Sequence, residues 1–218
     1  EIPFRRLAYS EALARYGSDK PDLRCDLAVE DISKAFVDSN FKVFRQVVET
    51  GGAIRALPIS GGGTASRREL DDLVARAGEL GAAGLVWARY GPDGKVQSSV
   101  LKVAGEAAVR SALELAGAGK EDLILIAAGD GVVASKLLGQ LRLEIAQKRG
   151  WLDPTRFVFT WVVDFPLLEW DEAGRRYTAM HHPFTSPVDA DLERLSSEPG
   201  AVRAKAYDLV LNGSEIGG

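Results

Sequence analysis

The sequence has very few of the side chains that form disulfides and zinc centres. Among its 218 residues, Cys25 is the only cysteine, and His181 and His182 are the only histidines. A single thiol excludes an internal disulfide framework, and one cysteine with two adjacent histidines does not provide the ligand spacing of a zinc site. A chain without disulfides fits a reducing compartment, so we expect a cytoplasmic protein.

Long apolar runs are missing as well. No stretch approaches the roughly 18 consecutive apolar residues that a membrane-spanning helix requires. Residues 1–6 also lack the apolar run of a signal peptide. We therefore expect a protein that makes no membrane contact.

The chain has no excess of positive charge. Its formal net charge is −4, so any contact with nucleic acid must come from a local basic patch or from other domains. The candidates for such a patch are Arg67, Arg68, Lys136, Arg142, Lys148 and Arg149. Charges on a helix are more often solvated than bound to a partner, so we favour a solvated surface at these positions.

Methionine is nearly absent. Met180 is the only one, and residue 1 is a glutamate. The last residues, 216–218, end on two glycines without a closing element. These features lead us to expect an internal excerpt of a longer protein.

Strand and helix patterns alternate between Phe41 and Gly150. The periodicity predicts strands over residues 41–48, 53–59, 84–90, 96–103 and 123–128, and helices over residues 66–80, 105–116 and 133–150. Ser66 and Glu69 form a capping box at the start of the first of these helices. The alternation is typical of an α/β unit with its own sheet.

Residues 61–63 are three consecutive glycines. A phosphate-binding P-loop needs a Gly-Lys-Ser/Thr ending, and a dinucleotide-binding fold needs G-x-G-x-x-G after a strand. Neither pattern is present, so we interpret the triplet as a flexible connector.

The flanking regions follow different patterns. Short helices are predicted over residues 10–16 and 29–39. After Pro154, residues 157–165 are expected to pair antiparallel with residues 175–180 across a turn at residues 171–174. Residues 206–211 are expected to pair with residues 214–216 across Asn212 and Gly213, a strong two-residue hairpin signal.

Four stretches resemble bacterial aspartyl-tRNA synthetases. They read YGSDKPDLR at residues 16–24, WVVDFP at 161–166, HHPFTSP at 181–187 and AYDLVLNGSEIGG at 206–218. Their order and spacing also match that family. The resemblance implies an α+β fold in which residues 1–25 and 150–218 form part of a class II catalytic domain with an antiparallel sheet. Residues 26–149 then correspond to the family's inserted α/β GAD domain.

One departure from the family pattern concerns the motif that gives this insertion its name. The strand that often ends Gly-Ala-Asp in relatives reads Ala127-Ala128-Gly129-Asp130 here. The departure puts a specific role for the motif in this chain in doubt.

The resemblance also implies a function. The family uses ATP and Mg²⁺ to convert L-aspartate to aspartyl-adenylate and then transfers the aspartyl group to tRNA. The implied partners are tRNA(Asp), with tRNA(Asn) as a further candidate, and a second subunit in a homodimer. By the same resemblance, the sequence lacks an anticodon-binding domain and class II motifs 1 and 2 and is truncated before motif 3, so the segment alone is expected to be inactive and no catalytic residue is assigned in it.

Three site residues follow from the same resemblance. His181 is expected to contact L-aspartate, while Asp208 and Glu215 are expected to hold Mg²⁺, with Glu215 also at the ATP site. Carboxylate oxygens are the ligands that Mg²⁺ prefers. The alternatives are structural histidines before Pro183 and a pair of surface acids.

The predicted hairpin pairs Val210 with Glu215 and Asp208 with Gly217, which places the two acids diagonally on one face of the sheet. If His181 and His182 lie at a strand end, their side chains point to opposite faces and only one can enter the site.

Two further alternatives concern a segment and the function of the whole chain. The charged side chains Asp19, Lys20, Asp22 and Arg24 form either a structural ion-pair network, which we favour, or a substrate contact. The function could also be that of a non-catalytic GAD-type binding module, as in tRNA-dependent amidotransferase subunits, or of a general α/β interaction domain. The motifs at His181 and residues 212–218 favour the ligase.

Overall fold

A computed structural model describes residues 3–218 of the chain. Residues 1 and 2 of the predicted segment 1–25 lie outside the described part. The strands are β1 (Arg5–Ala8), β2 (Glu30–Asp31), β3 (Ala53–Ile59), β4 (Val86–Tyr90), β5 (Val96–Ser98), β6 (Leu123–Gly129), β7 (Phe159–Val163), β8 (Leu168–Asp171), β9 (Arg176–Ala179), β10 (Tyr207–Leu211) and β11 (Ser214–Gly217). The α-helices are α1 (Tyr9–Tyr16), α2 (Lys42–Glu49), α3 (Arg67–Glu79), α4 (Leu101–Ala104), α5 (Glu106–Leu115) and α6 (Gly131–Lys148).

The chain forms two compact units. Unit 1 comprises the described residues up to Ala12 together with Asp19–Arg24 and Pro154–Gly218. Unit 2 comprises Leu13–Ser18 and Cys25–Asp153. None of the helices within residues 3–218 is both long and apolar enough to cross a membrane.

Unit 2 is built on a five-stranded sheet in the order β2-β3-β6-β4-β5. All of its strand pairs are antiparallel, whereas alternating strands and helices usually give a parallel sheet. The reason is that the helical connections from β3 to β4 and from β5 to β6 each join two strands of the same direction with a third strand between them, while β2 and β3 are antiparallel neighbours. β6 fills the gap between β3 and β4, and β4 fills the gap between β6 and β5, which is a split βαβ arrangement.

Helices cover both faces of this sheet. Alternate residues of β6 enter different cores, with Leu123 and Leu125 on one side and Ile124 and Ile126 on the other. The first core is completed by α3 and α6, and the second by α2 and α5. A strand that is buried on both faces needs apolar side chains at successive positions, which explains the continuous apolar run.

Three predictions within unit 2 are wrong. Residues 42–49 form helix α2 and not a strand, because Phe41, Phe44 and Val48 follow helical spacing and pack into one core while Val43 is exposed. Residues 29–39 are not a continuous helix, since β2 is followed by a 3₁₀ helix at Ser33–Phe36. Residues 101–104 form α4, so the second strand of the predicted hairpin is shorter than expected.

Side chains and close packing fix the loops around two helices. The capping box at α3 is confirmed, because Ser66 Oγ accepts from Glu69 N and the Glu69 carboxylate accepts from Ser66 N. Asp130 caps α6 by accepting from Val132 N and Val133 N, each at 3.0 Å. The glycine triplet, expected to be a flexible connector, leads into a 3₁₀ helix at Gly62–Thr64 and is closely packed, since a Cβ on Gly62 would lie 2.8 Å from the Leu123 side chain.

Arg142 does not belong to a surface patch. Its side chain is only 1% exposed, and Nε donates to the Leu27 carbonyl at 2.6 Å while Nη2 donates to the Cys25 carbonyl at 3.2 Å. The guanidinium also lies over the Tyr16 ring, 5.1 Å from its centroid. Arg142 is therefore a structural cation inside unit 2, and the favoured expectation of a solvated surface position is wrong for this residue.

Unit 1 contains a four-stranded sheet in the order β1-β7-β10-β11. The antiparallel sheet expected here is mixed, because β1 pairs with β7 in parallel while the other pairs are antiparallel. The predicted pairing of residues 157–165 with 175–180 is wrong. β9 pairs with β8, which the turn at residues 172–175 brings alongside it, and β7 is already paired on both sides.

The hairpin of β10 and β11 forms across Asn212 and Gly213 as predicted, but its register shifts. Val210 pairs with Glu215, whereas Gly217 pairs with Leu209 and not with Asp208. The shift places Ile216 as an extra residue in β11, which is the pattern of a β-bulge. Asn212 also anchors the turn, since Oδ1 accepts from Val158 N at 2.9 Å and Nδ2 donates to the Arg156 carbonyl at 2.8 Å.

An ion pair between buried Asp191 and half-exposed Arg203 joins the 3₁₀ helix Asp189–Leu195 to the segment before β10. Arg203 donates to the Asp191 carboxylate from Nε at 2.7 Å, from Nη2 at 3.1 Å and from its backbone N at 3.1 Å. These bonds lower the pKa of Asp191 to about 2, with the Arg203 side chain as the main cause.

We expect this ion pair to stabilise unit 1 except in strong acid. An aspartate in an unfolded chain titrates at about 3.9, so the contribution is complete above that pH and is lost as the pH falls through the folded pKa. The melting temperature of the unchanged protein should exceed that of Asp191→Asn at about pH 5, and the two should converge near pH 2. A difference that stays constant over this range would contradict the assignment.

Candidate functional site

The predicted site residues lie around one cleft in unit 1, with a volume of about 570 Å³. It is lined by His181, His182, Phe184, Thr185, Ser186, Lys205, Ala206, Tyr207, Asp208, Glu215 and Gly218. The loop after β9 supplies the histidines, and the β10–β11 hairpin supplies the two acids. The structure therefore brings together all three residues that the sequence singled out.

The two carboxylates converge on Gly218. A Cβ built on this glycine would lie 3.0 Å from Asp208 Oδ1 and 3.7 Å from Glu215 Oε1. The β-bulge changes the pairing of Asp208, but the acids still face the same point. The sequence predicts that the two acids converge because they are diagonal neighbours in a regular hairpin. In the structure they converge although the hairpin contains a β-bulge.

Asp208 is the buried member of the pair, and Glu215 is the exposed one. Burial raises the pKa of the Asp208 carboxyl above its ordinary value, and the charge of Glu215 raises it further. His181 and Lys20 act in the opposite direction. Two acids held this close repel each other, so positive charge in the cleft stabilises the arrangement.

Lys20 supplies part of that positive charge. Its Nζ lies 2.7 Å from Glu215 Oε2, and this hydrogen bond is the main reason why the pKa of Lys20 is raised. Asp22 and Arg24, by contrast, pair with each other, with Arg24 Nη2 2.6 Å from Asp22 Oδ2. The segment thus contains a structural ion pair, as favoured from the sequence, and also a side chain that reaches the candidate site.

His181 and His182 have different surroundings. β9 ends at Ala179, so both histidines follow a bend and line the cleft. The expectation that only one could face the site is wrong because the backbone there is not extended. The His181 ring packs edge-on against buried Phe165, with centroids 4.8 Å apart, while His182 Nδ1 accepts from Phe184 N at 3.3 Å.

Sequence reasoning assigned neither Lys20 nor Phe165 to the site, and it considered Lys20 only within a charged segment for which a structural ion-pair network was favoured over a substrate contact. Both lie in stretches that carry the family resemblance, which is the signal that could have drawn attention to them. Local rules could not pair Lys20 with Glu215 or Phe165 with His181, because these partners are far apart in the sequence and meet only in the folded unit.

The cleft has the donor set that Mg²⁺ needs when a substrate completes its coordination. Among residues 3–218, no three His, Cys, Asp or Glu side chains gather closely enough to hold a metal ion by themselves. Mg²⁺ commonly takes one or two carboxylates and fills its other positions with phosphate oxygens and waters. Asp208 and Glu215 fit that pattern.

Comparison with known proteins identifies the family. A family model described as tRNA synthetases class II (D, K and N) matches residues 1–218. The aspartate–tRNA(Asp/Asn) ligase of Caldanaerobacter subterraneus subsp. tengcongensis is 47% identical over 218 residues, which are 100% of this chain and 37% of that protein. That of Syntrophomonas wolfei subsp. wolfei is 46% identical over 216 residues, 99% of this chain and 37% of its own length. The aspartate–tRNA ligase of Ruminiclostridium cellulolyticum is 45% identical over 218 residues, 100% of this chain and 37% of its own length.

These similarities confirm the resemblance based on the four sequence stretches. The relatives carry the names of aminoacyl-tRNA ligases, and the chain spans 37% of the length of those described above. The mixed α/β content and the antiparallel strand pairs agree with a class II synthetase domain. The chain therefore belongs to the class II tRNA synthetase family, in the group that includes the aspartate–tRNA ligases.

Proposed function

We propose that this chain contributes part of the aminoacylation site of an aspartate–tRNA ligase, which forms aspartyl-adenylate from L-aspartate and ATP and transfers the aspartyl group to tRNA. The observation that carries the proposal is the convergence of His181, Asp208 and Glu215 on one cleft. A GAD-type binding module would not need an acid pair and a histidine there. ATP–pyrophosphate exchange that requires L-aspartate, measured in the protein that carries this chain, tests the proposal.

The roles of the three side chains follow from their chemistry. Asp208 and Glu215 are the residues that would hold Mg²⁺, which offsets the negative charge of the ATP phosphates when bound. Glu215 is also the residue that we assign to the ATP site. His181 can donate a hydrogen bond to the carboxylate of L-aspartate, and Phe165 restricts the orientation of its ring.

The remaining parts of the proposal concern partners and domains. tRNA(Asp) is the proposed RNA substrate, and tRNA(Asn) is a second candidate because two of the relatives are named for both tRNAs. A homodimer and a cytoplasmic location belong to the same proposal. We assign residues 26–149 to the GAD insertion and residues 1–25 and 150–218 to the catalytic domain. The two units support this division except at Leu13–Ser18, Cys25 and residues 150–153, which fall in unit 2.

We expect His181→Ala to weaken the use of aspartate far more than the use of ATP. Loss of one polar contact in a substrate site costs about 1–3 kcal/mol, which corresponds to roughly tenfold to a hundredfold in affinity. The KM for aspartate and the KM for ATP, both measured by pyrophosphate exchange, separate these effects.

His182→Ala is the matched comparison, because this ring lines the same cleft but is bonded to the Phe184 backbone. If the KM for aspartate rises more in His182→Ala than in His181→Ala, His182 and not His181 is the residue that contacts aspartate. An unchanged KM for aspartate in both variants would remove the histidines from the substrate site.

A further inference from the structure

The two carboxylate oxygens of Glu215 have different surroundings. Oε2 lies 2.7 Å from Lys20 Nζ, while Oε1 is the oxygen that faces Gly218 together with Asp208 Oδ1. A glutamate side chain has several rotatable bonds, and this one is 40% exposed. Without a partner on Oε2, the carboxylate could turn into many orientations that do not face Asp208.

The loop that carries Lys20 lies against the same hairpin as Glu215. A Cβ on Gly213 would lie 3.4 Å from Asp22 Cβ and 3.8 Å from the Lys20 carbonyl oxygen, so the loop runs beside the hairpin turn. Arg156 Nη1 donates to the Arg24 carbonyl at 3.0 Å, and the Arg156 carbonyl accepts from Asn212 Nδ2. Both ends of the Lys20–Glu215 contact are therefore tied to one hydrogen-bonded framework.

We propose that Lys20 is a positioning residue that holds Oε2 of Glu215, so that Oε1 converges with Asp208 on a divalent cation. This inference rests on the proposed function, because it presupposes that the acid pair binds Mg²⁺. Side chains that hydrogen-bond to a metal's ligands orient those ligands, and their loss typically lowers metal affinity by about 10–100-fold. Lys20 occupies that place for Glu215.

A second effect of Lys20 has the opposite sign. Its ammonium repels a cation bound nearby, so removing the charge would by itself strengthen cation binding. Lys205 lines the same cleft, but its Nζ pairs with Asp189 at 2.7 Å. Lys205→Met therefore removes a similar charge without releasing Glu215.

The test measures Mn²⁺ binding by electron paramagnetic resonance and Mg²⁺-ATP binding by calorimetry, in the protein that carries this chain. We expect Lys20→Met to weaken Mn²⁺ binding by about tenfold. Lys20→Arg should restore most of the affinity because it keeps a charged donor near Oε2. Lys205→Met should leave Mn²⁺ binding unchanged or make it slightly tighter.

Unchanged or tighter Mn²⁺ binding by Lys20→Met would overturn the positioning role, and so would an equal loss in Lys205→Met. Asp208→Asn in the same assay separates this result from a failure of the proposed function. If Asp208→Asn weakens Mn²⁺ binding and Lys20→Met does not, only the inference about Lys20 fails. If neither variant changes binding, the acid pair is not the metal site.

Discussion

Replacing Asp208 by Asn and Glu215 by Gln together should abolish Mg²⁺-dependent adenylate formation and leave the fold intact. The two acids are the carboxylates that converge in the cleft, and an amide keeps the shape of the side chain while losing its charge. Charge stabilisation at a reacting phosphate usually contributes at least roughly 100-fold to the rate. We expect a loss of at least that size in pyrophosphate exchange, with the dependence on Mg²⁺ concentration largely removed.

The fold should survive this double change for an electrostatic reason. Burial and the charge of Glu215 both disfavour the ionised form of Asp208, so removal of the two negative charges relieves repulsion. The circular dichroism spectrum and the melting temperature should therefore stay close to those of the unchanged protein.

A double amide variant at exposed Glu172 and Glu193 is the control, because it changes the net charge equally outside the cleft. Normal exchange activity with a normal response to Mg²⁺ in the Asp208 and Glu215 variant would refute the metal role. The two residues would then be surface acids.

Arg142→Ala should strongly destabilise unit 2. The variant leaves the buried carbonyls of Leu27 and Cys25 without the donors that Arg142 provides, and it creates a cavity next to Tyr16. An unsatisfied buried polar group costs about 1–3 kcal/mol, and truncation of a large buried side chain adds to this. We expect a total loss of about 3–5 kcal/mol in the free energy of unfolding of this unit.

Hydrogen exchange of amides in α6 and β6 measures the effect locally, because core amides exchange only when the surrounding structure opens. Arg68→Met is the control, since Arg68 is exposed and surface substitutions usually change stability by less than about 0.5 kcal/mol. If Arg142→Ala lowers the free energy of unfolding of unit 2 by less than about 1 kcal/mol, the hydrogen bonds of Arg142 do not stabilise this unit as we infer.

Some elements of the fold could be predicted because their signals are local. The capping box at Ser66 and the hairpin at Asn212 depend on neighbouring residues only, and both are confirmed. The strand predicted over residues 41–48 is wrong because Phe41 and Val43, followed by Val47 and Val48, suggest a strand, while burial of Phe44 in the folded unit selects a helix. Short apolar runs are ambiguous until their neighbours in space are known.

In the candidate site, too, some features could be predicted from the sequence, and others depend on contacts between distant residues. The resemblance pointed to His181, Asp208 and Glu215, and the structure places them around one cleft. The β-bulge at Ile216 changes the pairing of Asp208, and no turn signal in the sequence predicts it. The contact of Lys20 with Glu215 depends on how the loop at residues 19–24 lies against the hairpin, which is a tertiary property.

The parallel pair of β1 and β7 has a consequence for the order of events during synthesis. Arg5 is paired with Thr160, so the β1–β7 pair cannot form until nearly three quarters of this sequence has been translated. Translation proceeds at about 5–20 residues per second, and contacts between distant residues are slow to form. The largest segment of unit 2 is the continuous stretch Cys25–Asp153. Unit 2 can therefore fold on the ribosome before β7, the partner strand of β1, has been synthesised.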